Sequence, residues 1–186
     1  MPSRLRFTLS QFGSKSGGKD ALSSLLDAPS LPGAGWSVVD ERTWLTGRQR
    51  PAEPWAQRAA AAGSVTAWRS LRSGSRSLWV QVVPAAGADD ARAALTAVPT
   101  ALLANQRAQV RLESEADVEP PVLAGADAAW AHVQHTSGHP DAGTSLLLCW
   151  TSGDRLHALG AAGRPEWTWA EVAALADAQT ARSRGA

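Results

Sequence analysis

The links between the strand-like runs of this chain are the feature that most restricts its fold. Ser64–Leu71 and Ser77–Val83 are β-branched and aromatic, and the Arg72-Ser73-Gly74-Ser75-Arg76 segment between them is turn material, which predicts a hairpin. Gly143–Thr151 and Arg155–Gly160 are joined in the same way by Ser152-Gly153-Asp154. Parallel neighbours need a crossover of roughly a dozen residues or more, so such strands must pair antiparallel. Ala108–Asp117 and Ala128–His135 are two further strand candidates, and Trp36–Leu45 reads as extended.

Helical patterning separates these runs. Leu22, Leu25 and Leu26 recur at helical spacing behind Asp20, which is suited to cap a short helix ending before Pro29. Pro54 opens an alanine-rich helix reaching about Ala62, and Asp89–Ala104 predicts another that Pro99 should kink or end early. Thr168–Ala181 carries an apolar stripe of Trp169, Val172, Ala173, Leu175 and Ala176. The expected fold class is α+β: an antiparallel β-sheet flanked by helices in a two- or three-layer sandwich. No internal repeat is present. The 186 residues suffice for one core, with a flexible N-terminal segment at 1–19 containing a strand candidate at Arg4–Gln11, a single domain at 20–183, and a disordered tail at 184–186.

Composition narrows the function classes. Hydrophobic residues make up 44% and charged residues 19%, as expected of a chain that folds in water. The net charge of +1 and the scattered basic residues lack the footprint of a nucleic-acid binder. Ser10, Gln11, Ser14 and Lys15 interrupt any apolar stretch of a signal peptide, and no later segment approaches the roughly 20 apolar residues of a membrane span, so the cytoplasm is the expected location. The single cysteine, Cys149, lies in the apolar run Ser145–Trp150 and has no intrachain disulfide partner.

Three motifs invite a chemical reading. Gly13–Asp20 has P-loop spacing, but Asp20 stands where a magnesium-binding hydroxyl is needed and sets a carboxylate beside phosphate; a Gly/Ser linker ending in an Asp cap fits better. His132, His135, His139 and Asp141 are metal-ligand types, yet strand alternation sends His132 and His135 to opposite faces. Surface histidines in a turn fit better, and neither a metal nor another cofactor is expected. Glu113, Glu115, Asp117 and Glu119 alternate as the solvated face of a strand does. A serine elbow and an activated cysteine are both missing, so no catalytic residue is assigned.

Tryptophan is the most informative residue type, with nine against two Phe and no Tyr. The strand registers place Val65, Ala67, Leu71, Leu78, Val80, Val82, Val110, Leu112 and Val133 on one sheet face. The other takes Trp68, Trp79, Gln81, Trp130, His132, Gln134 and Trp150, broad apolar rings interleaved with polar groups. Burial of this face under the N-terminal segment and the Pro54–Ala62 helix is the plainer reading, because large aromatics are mostly buried. A partly open groove for an apolar ligand or a protein partner is the functional one, with Trp68, Trp79, Trp130, His132 and Trp150 as its binding residues.

Ala128–His135, Gly143–Trp150, the Ser152-Gly153-Asp154 turn, Arg155–Gly160 and Glu171–Ala176, with Leu25-Leu26 and Gly35-Trp36, form an arrangement that resembles small α+β domains of actinobacterial proteins, of the PknH-sensor and PsbP-like types. The resemblance covers about Leu22 to Ala181 in outline. Many members are extracytoplasmic and the sensor types carry disulfides; this chain departs on both counts. It implies a binding or adaptor role without chemistry. The alternative is a small hydrolase-like enzyme using His132 or His157 with a nearby carboxylate, and a third reading is a subunit that pairs with itself or with a separate partner.

Overall fold

The computed structural model describes residues 15–48, 50, 52–108, 110–137 and 143–185. Its elements are α1 (Lys15–Ser23), a 3-10 turn (Ala28–Ser30), β1 (Ser37–Leu45), α2 (Pro54–Ala61), β2 (Val65–Ser73), β3 (Arg76–Pro84), α3 (Ala88–Arg107), β4 (Arg111–Val118), β5 (Ala128–Ser137), β6 (Thr144–Ser152), β7 (Arg155–Gly163) and α4 (Trp169–Arg184). The strands make one sheet in the order β1-β2-β3-β7-β6-β5-β4, with every neighbouring pair antiparallel. This is the expected α+β class. No helix of the described residues is long and apolar enough to cross a membrane.

The sheet is sandwiched between two helical layers. On the back face, α1, the segment after it and α4 pack Leu25, Leu26, Val172, Leu175 and Ala176 against Leu71, Leu78, Val80, Leu148, Leu159 and Trp150. On the front face, α2 and α3 pack Trp55, Ala56, Ala94 and Val98 against Val83, Cys149, Leu156 and Ala158. Helix α3 links β3, in mid-sheet, to β4 at the far edge, and β5, β6 and β7 then return as a meander that closes on β3.

Pro99 lies inside α3 and does not end it. The lost N–H bond costs about 3 kcal/mol, and burial of Ala91, Ala94, Val98 and Leu103 on one side of the helix offsets it. Helix α4 opens with a capping box, in which Thr168 and Glu171 satisfy each other's backbone N–H.

At the end of α1 and just after it, Leu25 N–H bonds Leu22 O, and side chains bond much of the remaining backbone. Arg69 donates to the carbonyls of Leu22, Leu25 and Leu26, at 3.3, 3.3 and 2.9 Å. Gln179 donates to Ser24 O at 2.7 Å and accepts from Leu26 N–H at 2.9 Å, while Arg182 Nε donates to Ser23 O at 3.0 Å. Leu25 and Leu26 can therefore enter the core without unpaired backbone.

Several sequence expectations need correction. Lys15–Lys19 belongs to α1, so the flexible segment does not extend to residue 19, and the second half of the P-loop-like run is helical. Arg184 is the last residue of α4 and bonds Gly125 O and Ser152 Oγ, so it is no disordered tail. Leu112 pairs with Thr136 on the front face, because a bulge between Leu112 and Ser114 reverses its direction. The Arg4–Gln11 strand candidate, His139 and Asp141 lie outside the described residues.

Candidate functional site

Strand register decides which tryptophans share a face. Trp68 pairs with Gln81, Gln81 with Ala158, Ala158 with Cys149 and Cys149 with Trp130, which sets Trp68 and Trp130 in one row of the front face. The next row runs from Trp79 through Gly160 and Leu147 to His132 and Asp117. Trp150 does not belong here. It pairs with Ala129, one position off the expected register, and that single step turns it to the back face. There it is fully buried, donates its indole N–H to Thr180 Oγ1 at 2.8 Å and stacks on His157.

A glycine shapes the middle of the front face. A Cβ on Gly160 would lie 2.2 Å from Trp79 Nε1 and 2.3 Å from its Cε2, so the absent side chain is what lets the Trp79 ring lie across β7. The last turns of α3 pass above. Leu102, Asn105 and Gln106 join Trp68 and Trp79 around an open recess of 130 Å³, and Gln106 Oε1 is buried with no hydrogen-bond partner among the described residues. Gly160→Val should drive the indole off β7, at a cost of about 1–3 kcal/mol from overpacking. A changed near-ultraviolet circular dichroism signal and a lowered urea midpoint are the expected readouts, and an unchanged spectrum would contradict this placement.

Beyond these turns lies a polar network. His132, 3% exposed, stacks on Trp130 with centroids 5.3 Å apart and planes 16° apart. Its Nδ1 faces Asp117 Oδ1 at 2.6 Å and its Nε2 faces Glu115 Oε2 at 3.3 Å. Arg107, the last residue of α3, donates through Nε to Glu115 Oε1 at 2.8 Å, and Gln134 donates to Glu115 Oε2 at 3.2 Å. Hydrogen bonds from Arg107 hold the Glu115 carboxyl below its usual range against the opposing effect of burial, with Gln134 and His132 adding to them. Glu115 and Asp117 thus serve a cross-strand histidine, where alternation alone suggested only a solvated face.

The two candidate acid-base histidines differ sharply. Both His132 nitrogens already face carboxylates, which leaves neither to take a proton from a nucleophile. His157 is fully buried, with both ring nitrogens unpartnered among the described residues, and stacks on Trp150 at 5.0 Å between centroids. Burial, aided by Arg155 and Arg184, pushes its pKa down to about 3. Cys149 is also buried, which pushes its thiol pKa upward and away from reactivity. No cluster of three or more metal-ligating side chains occurs among the described residues.

No protein-family model matches the sequence, and no curated protein matches it. Among solved structures, the chain is similar to the extracellular domain of PknH from Mycobacterium tuberculosis, at 11% identity and a TM-score of 0.58, over 91% of this chain and 97% of that one. The likeness is one of fold, and it agrees with the PknH half of the resemblance read from the sequence.

Proposed function

We propose that this chain is a non-catalytic binding or adaptor domain that recognises a protein partner or an apolar ligand through its front face, with Trp68, Trp79, Trp130 and His132 as the contact residues. The observation that carries the reading is the open recess between Trp68, Trp79 and the end of α3, where indole surface stays in contact with solvent instead of being closed over. On the same face but outside the recess lining, His132 stacks on Trp130 and Arg107 pairs with Glu115, which adds a polar cluster to the proposed contact surface. The likeness to the extracellular domain of PknH is one of architecture, and the reading rests on the recess and not on it. No cofactor, metal or nucleic acid enters this reading. We place the domain in the cytoplasm because its lone cysteine leaves no intrachain disulfide for an oxidising compartment to form, and cell fractionation tests that placement.

The test is selection of a displayed peptide library on the folded protein, followed by nuclear magnetic resonance of the indole N–H groups. Selected peptides should shift Trp68, Trp79 and Trp130 and lose binding to Trp79→Ala. Ester or amide hydrolysis abolished by His132→Ala, or peptide binding indifferent to Trp68→Ala, Trp79→Ala and Trp130→Ala, would overturn the proposal.

A further inference from the structure

Strands β1 and β4 end the sheet, and each leaves one edge without a partner strand among the described residues. The two edges differ in what they present. Val38, Val39 and Leu45, three of the four large hydrophobic residues exposed among the described residues, all lie in β1, at 44%, 61% and 43% exposure. An open edge with apolar side chains is a template for another strand, and charges usually blunt it. On β4 three carboxylates, Glu113, Glu115 and Asp117, fill the middle of the strand, so two copies of that edge set like charges together. On β1 the order is Asp40-Glu41-Arg42, and the sign changes along it.

Reversing β1 about Glu41 makes the strand complementary to itself. An antiparallel neighbour related by a two-fold axis at Glu41 sets Asp40 opposite Arg42 of the second copy, and Arg42 opposite Asp40 of that copy. Both side chains stand on the front face, since they pair with Ser70 and Trp68 of β2. Arg42 is already held there, its Nε bonded to Asp40 Oδ2 at 2.9 Å and its guanidinium over the Trp68 ring. Glu41 meets its own copy on the back face, but Arg69 donates to its Oε2 at 3.1 Å, which offsets the repulsion. With the bulge between Val38 and Asp40 counted, Val38 comes opposite Thr43 of the second copy, with Leu45 of that copy as its diagonal neighbour on the same face. The exposed apolar ends of the two strands thus cover each other.

We infer that the free edge of β1 is a self-association surface, through which two copies of this chain join β1 to antiparallel β1 about a two-fold axis at Glu41 and merge their sheets into one. The inference goes beyond the binding reading above and does not depend on it. A single strand pairing is a small interface, so the dimer should be weak, with a Kd of about 10–100 µM, and weaker still as salt screens the Asp40–Arg42 contacts.

Sedimentation velocity of the full chain at low salt, from about 5 µM to about 1 mM, should show the 19.5 kDa monomer giving way to a species of twice that mass. Asp40→Arg and Arg42→Asp should each weaken the dimer about tenfold or more, because each sets like charges opposite one another. An equimolar mixture of the two variants should recover it, since every opposed position then carries one charge of each sign. Amide hydrogen exchange gives a reading that needs no variant: residues 37–45 should gain protection as the concentration rises, while residues 111–118 should not. A monomer at every concentration, variants that dimerise as the parent chain does, a mixture no more dimeric than its components, or protection gained at 111–118 in place of 37–45 would each overturn the inference.

Discussion

Acidification from pH 6.5 to 4.5 is expected to cost this fold about 2 kcal/mol through His157 alone. In the unfolded chain the imidazole titrates near its ordinary value of 6.5, whereas in the folded protein, stacked against Trp150 and excluded from solvent, it resists protonation until about 3. Between these values the unfolded state binds the extra proton. Stability is therefore complete above pH 6.5 and falls by about 1.4 kcal/mol per unit as the pH drops toward 3. The carboxylates with lowered pKa values act in a lower window, since Asp27, Asp90, Glu115 and Glu171 have ordinary values of 3.8 or 4.5 and lose their contribution only below these. Urea unfolding at a series of pH values should show the slope, and His157→Leu should flatten it between 6.5 and 4.5 while holding stability at pH 7, because both unpartnered nitrogens go with the ring. His157→Met is the second test, should leucine pack poorly against Trp150. A slope retained in both variants would refute the assignment.

Gln179→Leu is expected to destabilise the protein by about 3 kcal/mol, as it leaves a buried N–H on Leu26 and a buried carbonyl on Ser24 without partners, at about 1–3 kcal/mol each. The effect should be local in its structural signature. Leu26 N–H would lose its protection from hydrogen exchange before the sheet amides do, because α4 still covers the back face through Val172, Leu175 and Ala176. Arg69→Leu acts on the same stretch of backbone from the opposite side, through Leu22, Leu25 and Leu26. The two substitutions should therefore be non-additive by more than about 0.5 kcal/mol in a double-mutant cycle. Strict additivity would show that the two side chains hold the segment independently.

Much of the architecture was legible in local pattern. The hairpin of β2 and β3, the strand identities of β5 to β7, and α2 and α4 follow from alternation, turn residues and caps, all of which act over a few residues. What failed depended on register between strands. Trp150 went to the wrong face because the β5–β6 connection, which includes residues outside the described set, hides how the strands align, and one position reverses every side chain. Leu112 went wrong at a bulge that no residue type announces. The site was half legible: Trp68, Trp79, Trp130 and His132 fell on one face as expected, but α3 as its lid and Arg107 as the partner of Glu115 arise from a long-range crossover. Glu115 and Asp117 opposite Gln134 and His132 did leave a signal, two alternating polar pairs on successive strands, which becomes readable only when β4 and β5 are known to be neighbours. Arg69 and Gln179 left none, since a buried polar side chain serving distant backbone looks like any other polar residue in sequence.

The closure of the meander on β3 has a consequence for the order of synthesis. The strands β1, β2 and β3 can pair as they emerge, but the inner edge of β3 finds its partner only in β7, the last strand made. Until then Leu78, Val80 and Val82 stand on a bare edge in what will become the middle of the sheet, and β4, β5 and β6 have nothing to join. A nascent chain stopped short of Arg155 is therefore two sheet fragments with exposed central edges, and the front face proposed for binding, which takes Trp79 from one and His132 from the other, is assembled only once β7 has joined them.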